Sequence, residues 1–548
     1  MYSPTRATAG GLLSDMGDGN AVAYPVIHER TLASSRSAQT VQSSPMTYTP
    51  TYTSEQLRSE VLSFLADQPK RLFIGGQWVE GAAGRVFEKD DPATGMVFAR
   101  VCEGDAEDVQ RAVDIARTIF DDPRHPWRRM TPHDRERLIH RLADLIEADR
   151  ETLAQLITLE NGKPLTASKG EVESSVRMFR YYAGWPTKIE GDVKPVSIPD
   201  RLNYTVREPV GVVGAIIPWN FPLSMIAWKL APALATGNVV ILKPAEQTPL
   251  SAVRVCELIQ QAGFPDGVVQ LINGFGETAG AALVAHPGVD KIAFTGSTEV
   301  GKVIMRAAAG NLKRLSLELG GKSPHIIFDD ADLPKAALTA AYGIFSNAGQ
   351  SCNAGSRLFV HRRVYDEVLS RVAERATSIK VGPGMAQGSE MGPLISREQF
   401  ARVQRYIAAG LEQGARLRTG GERPPDVPAD GYFITPTIFE DVHGEMSIVR
   451  EEIFGPVLAA TPFETLEEVA ARANDTPYGL AAGIWTRDIG RAHKLAGLLR
   501  AGTVWINCYS QFDPASPFGG YKQSGFGREM GHEALELYTN VKSVWVGL

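Results

Sequence analysis

The spacing of apolar residues changes character along the chain. From Ala106 to about Tyr182 it is helical, with Leu138, Leu142, Leu145 and Ile146 recurring on one stripe. Within that stretch Thr131 followed by Pro132 predicts a helix start, the threonine capping free amides and the proline fitting the first turn. Past Val210 the pattern becomes short, β-branched and continuously apolar: Val210 to Ile217, Val239 to Leu242, Val268 to Leu271, and Lys291 to Phe294. Helical stretches, Leu223 to Ala235, Leu250 to Ala262 and Thr278 to Ala285, lie between them. Buried strands alternating with helices predict a doubly wound parallel sheet. The alternation resumes past Pro324 with His325 to Phe328, a helix from Leu333 to Phe345, and a strand through Arg357 to Val360. Two α/β units therefore meet near Leu319, Gly320 and Gly321. Upstream, Leu72 to Val79 reads as two short strands about Gly75 and Gly76. Residues 1 to about 55 are rich in Ser, Thr, Gly, Pro and Ala, have no sustained period, and are expected to be disordered.

Composition narrows the class. At 548 residues, two or three domains are expected, with cores large enough to need no disulfides. The net charge of −6 gives no electrostatic reason for a nucleic-acid or membrane partner. Cys102, Cys256, Cys352 and Cys508 have neither CxxC spacing nor flanking histidine pairs, which argues against a metal site and fits a reducing compartment. No transmembrane run and no secretory signal are present, so a cytoplasmic location is expected. Arg6, Arg30 and Arg36 among Ser and Thr resemble a presequence, but Asp15, Asp18 and Glu29 interrupt any basic face; Met46 is an alternative start.

Candidate chemistry begins with Gly349–Gln350–Ser351–Cys352–Asn353–Ala354–Gly355, a thiol on a thin polar loop between helix and strand. Upstream lie Glu318 before Leu319–Gly320–Gly321–Lys322, and Asn220 within Pro218–Trp219–Asn220–Phe221–Pro222. A nucleophile, a carboxylate and an amide donor are the parts of covalent acyl chemistry. Phe294–Thr295–Gly296–Ser297 ends a strand and opens a helix, a point suited to phosphate. Gly274–Phe275–Gly276 is only a partial match to a dinucleotide fingerprint. Lys243 to Glu246 sits at a strand's carboxyl end, where Glu246 suits ribose hydroxyls and repels a 2′-phosphate, favouring NAD over NADP. Alternatively, Glu246 merely satisfies a helix dipole.

These motifs, followed by Glu452–Ile453–Phe454–Gly455–Pro456 and by Ser516 to Lys522 with Ser524 and Gly525, resemble the NAD(P)-dependent aldehyde dehydrogenase superfamily in order, from about Leu72 to the C-terminus. The resemblance implies an α/β fold of two doubly wound domains plus a small β oligomerisation element. Residues 56–187 and 209–319 would bind NAD, 320–524 would carry the catalysis, and 188–208 with 537–548 would pair subunits into a homodimer or homotetramer. It further implies Cys352 as nucleophile, Asn220 and the Cys352 backbone N–H as oxyanion hole, Glu318 as base toward water, and Lys229 with Glu529 as an inner proton relay. Lys243 and Glu452 would clamp the riboses and Phe454 would pack at the nicotinamide, with Pro218, Trp219, Glu246, Gly276, Phe294, Gly296, Ser297 and Leu319 completing the cofactor site. Phe221, Met225, Trp228, Phe512 and Phe518 resemble an aldehyde tunnel, widened by Ser224 and Ser346. Phe512–Asp513–Pro514–Ala515 resembles the phenylacetaldehyde dehydrogenase branch, so an aromatic or bulky apolar aldehyde is expected; aliphatic and betaine aldehydes stay open. A glutamate at 318 favours hydrolysis over acyl transfer to CoA. Two other classes remain: a cysteine hydrolase or acyltransferase using His325, His361 or His443, and a silent binding protein on the same scaffold.

Overall fold

The β-branched runs past Val210 become strands whose order decides where a ligand can bind. In the computed structural model, which describes residues 56–548, the parallel strands Arg314–Glu318, Lys291–Thr295, Val212–Ile216, Val239–Lys243 and Val269–Leu271 lie side by side in that order. Winding reverses between Val212–Ile216 and Lys291–Thr295. An open α/β sheet takes ligands outside its carboxyl ends at such a reversal. The hairpin Leu72–Ile74 and Gln77–Val79 extends one edge, turning on Gly75 (φ +59°) and Gly76 (φ +80°), a pair of left-handed angles that matches the twist of its strands. Gly525–Phe526 closes the other edge antiparallel.

A second sheet orders the parallel strands Thr437–Glu440, Val457–Phe463, Arg357–His361, Pro324–Ile327, Ala481–Trp485 and Thr503–Ile506, with Arg416–Thr419 antiparallel at its edge. Only Leu319–Ser323 separates the last parallel strand of the first sheet from the first of the second. The chain therefore passes straight from the carboxyl edge of one sheet to the amino edge of the other. A third sheet pairs Thr539–Gly547 with Arg201–Pro209, which also carries Val193–Lys194.

The helical region after Ala106 divides into Ala106–Asp121, Pro126–Arg129, Pro132–Ala148, Arg150–Asn161 and Leu165–Ala183. Thr131 caps the third of these, as its sequence predicts, and the structure adds a reciprocal box with Asp134. Thr278 to Ala285 is not one regular helix. It opens with a wide turn, Gly276–Gly280, in which Gly280 N–H reaches back to Phe275 O (3.1 Å), before Ala281–Ala285. The extension expected to be disordered lies outside the described residues. Among those described, no helix is long and apolar enough to cross a membrane.

Candidate active site

The thiol loop is built from strained backbone. Helix Leu333–Phe345 stops at Ser346, whose hydroxyl donates back to Tyr342 O (2.6 Å). Asn347 (φ +50°), Ala348 (φ +53°) and Gly349 (φ +69°) follow in left-handed conformation, costing about 1–2 kcal/mol at each non-glycine. Side chains hold the curl in place. Asn347 Nδ2 donates to Asn220 O (3.1 Å) and Gln350 O (3.2 Å), and buried Gln350 accepts Ile395 N–H through Oε1 (2.9 Å). A Cβ on Gly349 would press into the backbone of Gly455. Beyond half-buried Cys352, Asn353 donates to Ser510 Oγ (2.8 Å) and accepts Tyr509 O–H at its carbonyl (2.7 Å). Strain over-determined in this way is characteristic of functional loops.

Asn220 belongs to the turn between strand Val212–Ile216 and helix Pro222–Ala235. Its Nδ2 donates to Gln350 O (3.0 Å), which brings the amide to the thiol loop. Glu318 ends its strand and is 4% exposed, so it is not a surface carboxylate, and neither carboxylate oxygen has a hydrogen-bond partner. The crossing that follows is strapped on three sides: Leu319 N–H to Ser524 O (3.0 Å), Ser524 Oγ to Gly320 O (2.6 Å), and Gly321 N–H to Glu452 Oε1 (2.8 Å). Burial and the nearby Glu529 hold the Glu318 carboxyl well above its usual range, while Lys229 and Arg528 oppose that rise. Burial, with Glu452 and Glu318 adding to it, pushes the Cys352 thiol up to about 12. Lys229, fully buried, pairs with Glu529 and donates to Thr295 Oγ1 (2.7 Å). Glu529 is not helical: it sits opposite Phe518 on an isolated antiparallel bridge.

The winding reversal gathers most of the other expected residues. Pro218 and Trp219 follow the first strand, and Lys243 ends the second, with Nζ 3.4 Å from Glu246 Oε2. Burial lowers the Lys243 ammonium and Glu246 resists that shift. Ser297 caps helix Thr298–Ala308 through Val300 N–H (3.2 Å). A Cβ on Gly296 would meet the ring of Phe294, one on Gly301 would meet Leu319, and one on Gly276 would meet open space. Phe454 (φ +59°) comes from the far side and stands edge-on to Trp219 at 5.3 Å. Burial brings its neighbour Glu452 up to about 7. A crevice with a helix N-terminus, a buried lysine, a carboxylate beside it and facing aromatics fits a dinucleotide.

Trp228, Phe512 and Phe518 pack on one another at 5.3–6.1 Å, with Phe512 41% exposed at the outer end. Met225 is buried one helical turn from Phe221, whose ring instead lies 4.1 Å from Lys163 Nζ.

The aldehyde dehydrogenase family model matches residues 78–544. The chain belongs to the aldehyde dehydrogenase family. An aldehyde dehydrogenase from Bacillus cereus, solved as its NAD+ complex, is 52% identical and superposes with a TM-score of 0.88 over 90% of this chain and 99% of its own. The mitochondrial benzaldehyde dehydrogenase of Antirrhinum majus is 49% identical over 88% of this chain and 89% of its own. A betaine aldehyde dehydrogenase from Staphylococcus aureus in complex with NAD+ is 41% identical, with a TM-score of 0.87 over 90% and 97%.

Two residues of this aldehyde dehydrogenase site carry no warning in the sequence: Asn347 makes bonds that shape the thiol loop, and Trp505 joins the aromatic cluster through Phe512 (5.7 Å). Thr295 and Ser524 stand inside sequence motifs, but the bonds that they make to Lys229 and Gly320 do not show there. Lys163 and Glu171 lie beneath the Asn220 turn. Asn161 and Lys163 bracket Gly162 at a helix end, a visible signal; Glu171 sits mid-helix and gives none. The histidines do not serve the thiol. His325 is sandwiched between Tyr509 (4.6 Å) and Trp485 (6.4 Å), with both ring nitrogens unpartnered and its basicity cut to about 3 by burial. His361 accepts from Arg363 N–H (3.4 Å), and His443 is exposed.

Proposed function

We propose that the protein oxidises an aromatic or bulky apolar aldehyde, such as phenylacetaldehyde, to its carboxylic acid through a thioester on Cys352, with NAD as cofactor. The observation that carries this reading is Glu318: buried, unpartnered and within electrostatic reach of the thiol. Cys352 Sγ loses its proton to solvent water and attacks the carbonyl carbon, and the aldehyde oxygen becomes an oxyanion. Asn220 Nδ2 and the Cys352 N–H receive that oxyanion, and losing one such donor costs about 10²–10³ in rate. Lys243, Glu246, Ser297 and Glu452 would hold NAD, which when bound would accept the hydride that leaves the tetrahedral carbon, so that the oxyanion collapses to the thioester. Glu318 then takes a proton from water as it attacks the thioester; the C–S bond breaks, the acid leaves, and Sγ regains its proton. Glu529 and Lys229 give Glu318 somewhere to pass its proton. A carboxylate at Glu246 supports NAD over NADP.

The aromatic cluster and the small Ser224 and Ser346 support a bulky apolar substrate. The Antirrhinum relative is named for an aromatic aldehyde and the Staphylococcus relative for a cationic one, so the choice is made by turnover. Phenylacetaldehyde and hexanal should outpace betaine aldehyde, each run with NAD and with NADP; a preference for the charged substrate overturns the aromatic reading. The third sheet exposes Val541 and Trp545 on one face and Val193, Leu202 and Val546 on the other, which supports a homodimer or homotetramer built on it. Light scattering at micromolar concentration checks this, a monomer refuting it. Four free cysteines support a reducing compartment, the cytoplasm in our reading, testable by cell fractionation.

A further inference from the structure

The turn that carries Asn220 owes its shape to side chains from elsewhere. Trp219 O accepts from Asn161 Nδ2 (2.9 Å). Asn220 O accepts from Lys163 Nζ (2.8 Å) as well as from Asn347 Nδ2 (3.1 Å). Lys163 is bound in turn to Glu171 Oε2 (2.5 Å), and Glu171 Oε1 accepts the N–H groups of Leu223 (3.0 Å) and Ser224 (3.1 Å). Those amides are among the orphan donors that open helix Pro222–Ala235. The two side chains are 1% and 2% exposed, and the Phe221 ring covers the ammonium.

A buried ion pair contributes little net stability compared with apolar residues of the same volume. What this pair supplies is direction. It grips the carbonyl of Asn220 on one side and the helix start on the other, so the side chain between them has one way to point, toward Gln350 O (3.0 Å). We propose that Lys163 and Glu171 are positioning residues for the reaction, acting through Asn220 by fixing the backbone from which its amide is aimed. The inference rests on the oxyanion role given to Asn220 above.

A double-mutant cycle on the full-length enzyme tests it, with NAD and hexanal, reading kcat/KM for the aldehyde and thermal melting together. Asn220→Ala should lower kcat/KM by about 10²–10³-fold. Lys163→Met should lower it by about 10–100-fold, the scale of a misplacement near 1 Å, with KM for NAD unchanged. Added to Asn220→Ala, it should cost less than about threefold more, because coupled residues do not add. Multiplied losses in the double variant, or undiminished kcat/KM in folded Lys163→Met, overturn the proposal. Lys163→Met strands a buried carboxylate, so Glu171→Gln is the second arm: it keeps an acceptor for both helix amides, removes the ion pair, and must show the same non-additivity. If Asn220→Ala alone leaves kcat/KM intact, the oxyanion reading has failed first and takes this one with it.

Discussion

Helix Pro222–Ala235 is touched by two buried lysine–glutamate pairs, Glu171 with Lys163 at its first turn and Lys229 with Glu529 two turns on. Composition and burial are the same; the free oxygens differ. Glu171 spends Oε2 on Lys163 and Oε1 on two backbone amides. Glu529 spends Oε1 on Lys229 while Oε2 has no partner, and the neighbouring Glu318 has none at either oxygen. A saturated pair has no proton to exchange and no other geometry to adopt, so it fixes backbone. An unsaturated pair beside a second carboxylate would hold a proton that can move, as the relay proposed above requires. Hydrogen-bond saturation, more than residue type, separates a clamp from a relay.

The largest expected effect removes the group that both pairs serve in the proposed mechanism. Cys352→Ala should cut aldehyde oxidation by at least about 10⁴-fold while NAD titration gives unchanged affinity. Activity that survives would leave clamp and relay with no thiol to act on.

The next effect separates the two pairs by which step fails. Glu318→Gln should slow steady turnover by about 10²–10⁴-fold yet still release a first equivalent of reduced cofactor, with acyl-enzyme visible by mass spectrometry on Cys352. Glu171→Gln should depress the first turnover instead and accumulate no acyl-enzyme. A burst in both, or in neither, would erase the distinction drawn from their oxygens.

Local signals made much of the frame legible. Helices Leu250–Ala262 and Leu333–Phe345 begin and end where their apolar spacing does, Thr131 caps as its place before Pro132 predicts, and the doubly wound class follows from β-branched runs between helices. What escaped depends on distant partners. Asn347 and Ala348 lie between the helix and the thiol loop and carry no local mark; their left-handed turn is held by the carbonyl of Asn220, far away in sequence, together with that of Gln350. The wide turn Gly276–Gly280 hides behind an ordinary helical spacing. Cys352, Glu318 and Asn220 stood out through short motifs and a family resemblance, whereas Glu171 is one of several acids on a polar helix and is marked only by the amides it meets across the fold.

The smallest expected effect is thermodynamic and tests whether Glu318 is as costly to ionise as its surroundings imply. In the unfolded chain a glutamate titrates near about 4.3. Folded, burial and Glu529 hold it well above that. Below both values each state keeps its proton and nothing is lost. As pH rises, the unfolded chain ionises first, so stability drains away until the folded carboxyl also gives up its proton. Glutamine at this position has no proton to lose. The melting temperature of Glu318→Gln relative to the parent should therefore climb between pH 5 and pH 8, by about 1–3 °C in a chain of this size. A difference that stays flat across that window would mean the carboxylate is already solvated or paired, and Glu318 would then belong with the saturated pair rather than the relay.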